Sequence, residues 1–325
     1  MTQNSKPIIG RLAPSPTGAQ HIGNARTYLL AWLSVRSKNG TLFLRMEDID
    51  SPRVKKGADL QAIEDIRWLG LDWDHQFLVQ SNRISYYKTA LESLAIKELV
   101  YPCTCTRGDV IRAASAPHED GKESVYPQTC AHRIAADFKK LEGTNFCWRF
   151  RSPLKQPDFI DGYKGFIEGP QGFQSNDFVV WRMGDSIDPK NSMPAYQLAV
   201  VIDDAFQNIT QVVRGDDLVS STPKQILLYD SLNLTPPEFF HLPLVIGEDG
   251  KRLAKRHGDT RLASLREQGV KPEALLGLLG YSCGWLKKIE PLTIKELLYL
   301  FDFKKIPSQP FVLTNEHLKT IGYEV

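Results

Sequence analysis

Two spacings of apolar residues succeed one another along the first hundred positions. Ile8 to Arg11 is a short apolar run that breaks into Ala13-Pro14-Ser15-Pro16-Thr17-Gly18, where two prolines and a glycine stop regular structure. It reads as a strand followed by a turn. From Asn24 the spacing changes to threes and fours through Ala25, Tyr28, Leu29, Trp32 and Leu33, with Gly40 as a stop, which is the period of a helix. Thr41 to Asp48 then alternates, with Leu42, Leu44 and Met46 on one face and the acidic pair Glu47 and Asp48 at its end. A second helix is expected from about Lys55 to Leu69, its buried side marked by Leu60, Ile63, Ile66, Arg67 and Leu69. Strand, helix, strand, helix at these lengths predicts a parallel α/β sheet. Ligands of such sheets sit beyond the carboxyl ends of the strands, where Arg11, Ser15 and Glu47 fall.

The pattern changes from about Tyr101. Cys103-Thr104-Cys105, a polar run containing Gly121, and Tyr126 to Cys130 carry little periodicity and predict a small module held together by something other than a hydrophobic core. Strands are expected at Phe146 to Arg151 and Asp177 to Arg182. The run Gln197 to Asp203 (QLAVVID) reads as an apolar strand that Tyr196 begins and Asp203-Asp204 ends, and Ile209 to Arg214 and His241 to Ile246 read as further strands. After a turn at Asp249-Gly250 comes the basic run Lys251 to His257. From Leu262 onward helices are predicted, one centred on Leu275, Leu276, Leu278 and Leu279, another on Ile294, Leu297 and Leu298.

Composition narrows the class. A chain of 325 residues exceeds one ordinary domain, so two or three are expected. Hydrophobic and charged fractions of 42% and 24% describe a soluble globular protein. A formal charge of +2 gives no global cationic field, although a local basic face remains compatible with nucleic acid. No signal-peptide core and no membrane-length apolar stretch are present, and five cysteines, an odd number, fit reduced thiols. A cytoplasmic location and no membrane partner are expected.

Three groups of residues carry candidate chemistry. His21-Ile22-Gly23-Asn24 lies where a helix starts, and a helix start with free N–H groups favours phosphate. A lone His-x-Gly is more often an ordinary loop with an N-cap asparagine. Lys251 to Gly258 (KRLAKRHG) is a second basic segment at a strand end, and cations there suit the charge that develops on a reacting phosphate. Arg11, Glu47 and Arg214 stand at expected strand ends, where arginine forks and a buried anion match the two carboxylates and the ammonium of an acidic amino acid. Singly, each arginine would more often be a surface ion pair. Lastly, Cys103-x-Cys105 with Tyr126-x-x-x-Cys130-x-His132 offers three thiols and either a phenol or an imidazole, the ligand types of a structural zinc site. Histidine is chemically the better fourth ligand. Cys147 and Cys283 are isolated and read as core residues.

Together, Arg11 to Gly18 with His21 to Asn24 resembles the glutamyl version of the class I aminoacyl-tRNA synthetase "HIGH" motif, and Arg252 to Arg256 resembles the "KMSKS" loop. The resemblance runs from Arg11 to about Gly258 and is nearest to the glutamyl-queuosine branch. Arg252 departs from the usual lysine and Ala254 from the usual serine, while Lys255 is kept. Val200 also resembles that branch, where longer glutamyl enzymes carry asparagine. The resemblance implies an α/β fold, with a Rossmann-type parallel sheet in two halves (1–100 and 191–260), an inserted zinc-containing module (101–190) and a C-terminal helical region (261–325). It implies L-glutamate held by Arg11, Ala13, Ser15, Glu47, Tyr196 and Arg214, and ATP, with Mg2+, held by His21, Gly23, Asn24 and Lys255. His21 and Lys255 are the implied catalytic pair. It further implies Zn2+ on Cys103, Cys105, Tyr126 and Cys130, with His132 the alternative to the tyrosine.

The helices after Leu262 end before any region that would read an anticodon from a distance. The resemblance to the glutamyl-queuosine branch then implies the anticodon arm of tRNA(Asp) as the partner, and a monomer is expected. Glutamate would be activated without tRNA and passed to queuosine. A short enzyme charging a tRNA 3′ end and a catalytically silent RNA-binding paralogue are the alternatives.

Overall fold

The computed structural model describes residues 7–324 apart from 17, 50–53, 107, 111–124, 142, 173–175, 185–191 and 254–258. Strand β1 (Ile9–Leu12), helix α1 (Ile22–Arg36), strand β2 (Thr41–Met46), helix α2 (Ala58–Trp68) and strand β3 (Leu78–Val79) form a parallel sheet in the order β1-β2-β3. Helix α1 is more enclosed than its period suggests, since Leu30, Ala31, Ser34 and Val35 are buried beside the expected Ala25, Tyr28, Leu29, Trp32 and Leu33. In α2 the buried positions are Ala58, Ala62, Ile63, Asp65 and Ile66, whereas Leu60 is 63% exposed and Arg67 is also on the surface. The expected face was thus right at Ile63, Ile66 and Leu69 and wrong at Leu60 and Arg67. A single leucine on the outer side of a helix carries no packing information by itself.

After helix α3 (Ile84–Ile96), strands β4 (Val100–Cys103), β5 (Phe146–Phe150) and β8 (Phe178–Gly184) make an antiparallel sheet, β4-β5-β8. This region does have a core. Phe146, Trp148, Phe150, Phe178 and Trp181 pack with α3 and with two later helices. A smaller cluster holds Tyr101, Cys103, Val110, Tyr126, Cys130 and Cys147.

The segment read as strand QLAVVID is helix α4 (Tyr196–Phe206). Leu198, Ala199, Val200 and Val201 are consecutive buried residues, and a helix enclosed on most sides shows the same unbroken apolar run as a central strand. The β-branched residues tipped the reading the wrong way. Strand β9 (Gln211–Gly215), helix α5 (Thr222–Ser231) and strand β10 (Glu238–Leu242) follow, and the expected strand to Ile246 is broken at Pro243 into β10 and β11 (Val245–Ile246). A proline cannot donate to a ladder.

With β6 (Phe159–Asp161) and β7 (Gly165–Ile167), these strands build a second sheet, β7-β6-β10-β9, in which β10 is parallel to both β6 and β9. Thr210 N donates to Ile9 O at 2.9 Å, so β9 flanks β1. The chain therefore leaves β1 for β2 on one side and returns to β9 on the other. That reversal opens a crevice at the strand ends, the usual place for a ligand in such sheets.

The C-terminal region contains α6 (Leu262–Glu267), α7 (Pro272–Ser282), α8 (Ile294–Leu300) and α9 (Asn315–Thr320), and also strand β12 (Phe311–Val312), which pairs in parallel with β11. Leu262, Leu265, Leu275, Leu279 and Leu297 share one core with α1 and β2. No described helix is long and apolar enough to cross a membrane.

Candidate active site

A cavity of about 860 Å³ opens at the ends of β1, β2 and β9. Its lining brings together Arg11, Ala13, Ser15, His21, Gly23, Asn24, Glu47, Tyr196 and Arg214, all of the expected glutamate and nucleotide residues except Lys255. Lys255, with Ala254, Arg256, His257 and Gly258, lies outside the described residues, as does Thr17 of the first motif. Arg252 and Leu253, the start of the basic loop, line the cavity. The first motif is tied to the segment that follows the basic run: Ile22 N donates to Thr260 O at 3.1 Å and Leu262 N to Gln20 O at 2.9 Å.

His21 is the N-cap of α1, and Asn24 is the N3 residue that completes its capping box. His21 Nδ1 accepts from Gly23 N at 3.1 Å and Asn24 N at 3.3 Å, while Asn24 Oδ1 accepts from His21 N at 3.0 Å. The expectation of free N–H groups is thus corrected, because the cap and Thr260 take up the first donors of the helix. A ring nitrogen that accepts carries no hydrogen, so the proton of the neutral imidazole is on Nε2. Burial, then the cation Arg252, lower the pKa of His21 to about 4, which keeps the ring neutral. The imidazole converts two backbone donors into one side-chain donor at Nε2. A Cβ on residue 23 would stand 2.9 Å from His21 Cε1, so glycine is needed there to seat the ring. At Gly18 a Cβ would meet nothing within 4 Å.

The acidic and basic residues form a buried network that the sequence did not reveal. Arg45, fully buried, donates to Asp204 Oδ1 at 2.6 Å and to Glu47 Oε1 at 3.0 Å. Arg11 Nε lies 3.5 Å from Asp204 Oδ1 but has no hydrogen-bond partner, and its Nη1 reaches Val213 O at 3.5 Å. Burial raises the pKa of Glu47 against the pull of Arg45 and Arg11. Asp203 is held by Arg83, Gln80 and Tyr87 at 2.7–2.8 Å. Three guanidinium groups, Arg11, Arg45 and Arg214, thus face two carboxylates, Glu47 and Asp204, and with Arg182 and the Arg252–Asp217 pair also in the lining the wall is net positive. Asp203 and Asp204 carry a local signal, an acidic pair inside an apolar run. Arg45 carries none, since an arginine in an alternating strand normally faces solvent.

Ser15 and Ala13 are held by the loops they sit on. Glu47 N donates to Pro14 O at 2.9 Å and Ser15 Oγ to Glu47 O at 3.2 Å. Tyr196 begins α4, and its hydroxyl accepts from Arg214 Nη1 at 3.4 Å. Val200 is buried in the second core and is not part of the lining.

In the cysteine cluster the sulfurs of Cys103, Cys105 and Cys130 lie within 4.8 Å of one another, and Cys105 Sγ is 3.7 Å from Cys130 Sγ. Zinc–sulfur bonds of about 2.3 Å in a tetrahedron give sulfur–sulfur edges of about 3.8 Å, so the thiols fit that ion. Tyr126 Oη is 3.2 Å from Cys103 Sγ and accepts from Cys130 N at 2.9 Å. His132 is exposed and outside the cluster, whereas the Tyr126 hydroxyl lies against it. Cys147 and Cys283 are both buried core residues as expected, but Cys147 is not isolated, since it is the cross-strand neighbour of Cys103. Hydrogen bonds from Cys147 and then from Tyr126 and Arg149 lower the pKa of Cys103 against its burial. Arg149 Nε donates to Cys103 Sγ at 3.3 Å, and its guanidinium stacks 3.8 Å over the Tyr126 ring.

Comparison with known proteins agrees with this arrangement. The family described as "tRNA synthetases class I (E and Q), catalytic domain" matches residues 7–319. A "Glutamyl-Q tRNA(Asp) synthetase" of Rhodopirellula baltica is 45% identical over 319 residues, covering 94% of this chain and 96% of its own. A "Glutamate--tRNA ligase" of Hydrogenobaculum is 38% identical over 95% of this chain and 66% of its own. The crystal structure of a glutamate tRNA ligase from Elizabethkingia meningosepticum in complex with its amino acid superimposes with a TM-score of 0.80 at 26% identity, covering 97% of this chain and 69% of the other. With the strand-end cavity lined by the first motif and by Arg252 and Leu253, these matches identify the chain as a member of the glutamyl-Q tRNA(Asp) synthetase family of class I tRNA synthetases.

Proposed function

We propose that the chain activates L-glutamate with ATP, without tRNA, and transfers it to the queuosine base at the wobble position of tRNA(Asp). The carrying observation is the charge of the cavity wall. Its residual positive charge complements glutamate, whose two carboxylates and one ammonium sum to minus one. Glutamine has no net charge, and would leave a buried guanidinium without its anion, a costly mismatch. Arg214 and Arg11 take the carboxylates, Glu47 the ammonium, and Tyr196, Ala13 and Ser15 shape the remainder.

In the first step an α-carboxylate oxygen bonds to the α-phosphorus, the bond to the bridging oxygen breaks, and pyrophosphate leaves. His21 Nε2–H donates to a phosphate oxygen, Gly23 and Asn24 hold that ring, and Lys255 adds a cation. Mg2+ accompanies the nucleotide and shields its phosphates. In the second step a hydroxyl of the queuosine cyclopentene diol attacks the acyl carbon and AMP leaves. Cys103, Cys105, Tyr126 and Cys130 would hold Zn2+, which would supply a structural cross-link. The tRNA(Asp) anticodon arm is the macromolecular partner, with unpaired loop bases splayed onto the protein, and the working form is a cytoplasmic monomer.

ATP–pyrophosphate exchange tests the first step: it should require glutamate, ignore glutamine and aspartate, and need no tRNA. Labelled glutamate should then enter queuosine-containing tRNA(Asp), and not the same tRNA with guanine at the wobble position. The label should survive periodate treatment of the 3′ ribose. The 38% match to a glutamate–tRNA ligase favours charging of a tRNA 3′ end as the second reading. Exchange only after tRNA addition, with labelling abolished by periodate, would establish it.

A further inference from the structure

Arg11 and Arg214 are both buried cations of the cavity, but they are held very differently. Arg214 is gripped along one edge. Its Nε donates to His241 Nε2 at 2.9 Å and its Nη2 to Thr222 Oγ1 at 2.9 Å. A guanidinium is planar, so fixing these two nitrogens fixes the direction of the third. That third nitrogen, Nη1, makes a long 3.4 Å contact to the Tyr196 hydroxyl, and both residues line the cavity.

His241 sits opposite Arg214 on the neighbouring strand β10, and Asp161 lies on β6 next to it. Asp161 Oδ2 is 2.6 Å from His241 Nδ1, and Asp161 Oδ1 accepts from Tyr163 N at 3.0 Å and Lys164 N at 2.8 Å. All three side chains are buried, His241 completely. Burial would raise Asp161, but hydrogen bonds from His241, Lys164 and Tyr163 hold its pKa below the ordinary carboxylate value. Burial first, and then Arg214, keep His241 below its ordinary value against Asp161. An ionised carboxylate only accepts, so the imidazole hydrogen is on Nδ1 and Nε2 is a bare acceptor.

We propose that Asp161 and His241 are positioning residues that aim Arg214 at a carboxylate of the amino-acid substrate, through a fixed imidazole tautomer running across three adjacent strands. The placement of a neutral ring between anion and cation has a purpose. A carboxylate directly against Arg214 would orient it equally well but would neutralise the charge that attracts the substrate. This inference rests on the reading of the cavity as a glutamate site.

The test is ATP–pyrophosphate exchange on the full chain, with KM measured separately for glutamate and ATP, and folding checked by thermal unfolding. His241→Leu and Asp161→Asn should raise the KM for glutamate roughly 10- to 100-fold, the range of one hydrogen bond to a charged group. The KM for ATP should stay within about twofold. His241→Gln, whose amide oxygen reaches the position of Nε2, should recover most of the loss, which a purely structural role would not. Unchanged glutamate KM, or parallel rises in both constants with Gln no better than Leu, would overturn the relay. Arg214→Ala separates the two readings. If it leaves glutamate binding intact, the glutamate site itself is misplaced; if it abolishes binding while the His241 and Asp161 variants are silent, only the relay fails.

Discussion

The strand-end cavity and the cysteine cluster are both lined by ionisable groups, yet they are charged in opposite senses. Around the cavity Arg11, Arg45 and Arg214 outnumber Glu47 and Asp204, and every carboxylate already has a cation. In the cluster three thiols and a phenol converge with one guanidinium, Arg149, beside them. On the proposed function, the first wall suits a guest of net negative charge and the second a dication. Both are preorganised by what they lack. The cavity keeps its geometry through its own ion pairs, whereas the cluster, once its groups ionise, needs an ion to hold like charges together.

The sharpest way to break this contrast is to remove a ligand of the cluster. Cys130→Ser or Cys103→Ser should reduce bound zinc from about one per chain, the stoichiometry of a four-ligand site, to none in metal analysis. Tyr126→Phe should weaken zinc retention against a chelator, and His132→Ala should not. Purified protein without zinc would remove the cluster from the comparison.

The next effect belongs to the cavity wall. Arg45→Met leaves Asp204 and Glu47 buried without their shared partner and should destabilise the fold by about 3–5 kcal/mol, read by urea unfolding. A loss under about 1 kcal/mol would mean that solvent reaches these carboxylates. Changing Lys255 to Ala should slow pyrophosphate exchange by about 2–4 kcal/mol of barrier, with the KM for glutamate little changed. Near-normal turnover would make the basic loop a solvated surface.

The last effect, confined to a narrow pH window, is the pH response of His21. Its folded pKa lies at about 4 against an ordinary 6.5, so the unfolded chain takes up the proton first as pH falls. The stability it contributes is complete above pH 6.5 and is lost between 6.5 and about 4. Relative to His21→Asn, a cap that does not titrate, the wild type should lose ground only in that window. A difference that stays flat to pH 4 would show an imidazole with an unshifted pKa.

Much of this was legible in the sequence, for physical reasons. The run β1–α1–β2 could be read because its apolar spacing changes cleanly and glycine and proline mark the joints. The cavity residues could be placed because strand ends converge in a parallel sheet. Helix α4 was misread because QLAVVID is buried on most sides, and periodicity vanishes when no face is polar. The free helix-start donors were wrongly expected because a cap made by the motif's own histidine is a matter of ring orientation. Arg45, Asp161 and His241 left no local mark. Their partners lie as far as 80 and 159 positions away, and only the strand order brings them together.

The seat of the His21 ring over residue 23 also constrains how this chain can change through descent. A methyl group at position 23 collides with the imidazole that caps the helix, so replacing the glycine first would unseat the histidine. Replacing the histidine first removes the obstruction and makes the glycine dispensable. The two positions are therefore coupled: a side chain at the second displaces the ring at the first. A chain that keeps the histidine with alanine at position 23 should cap its helix by some other group.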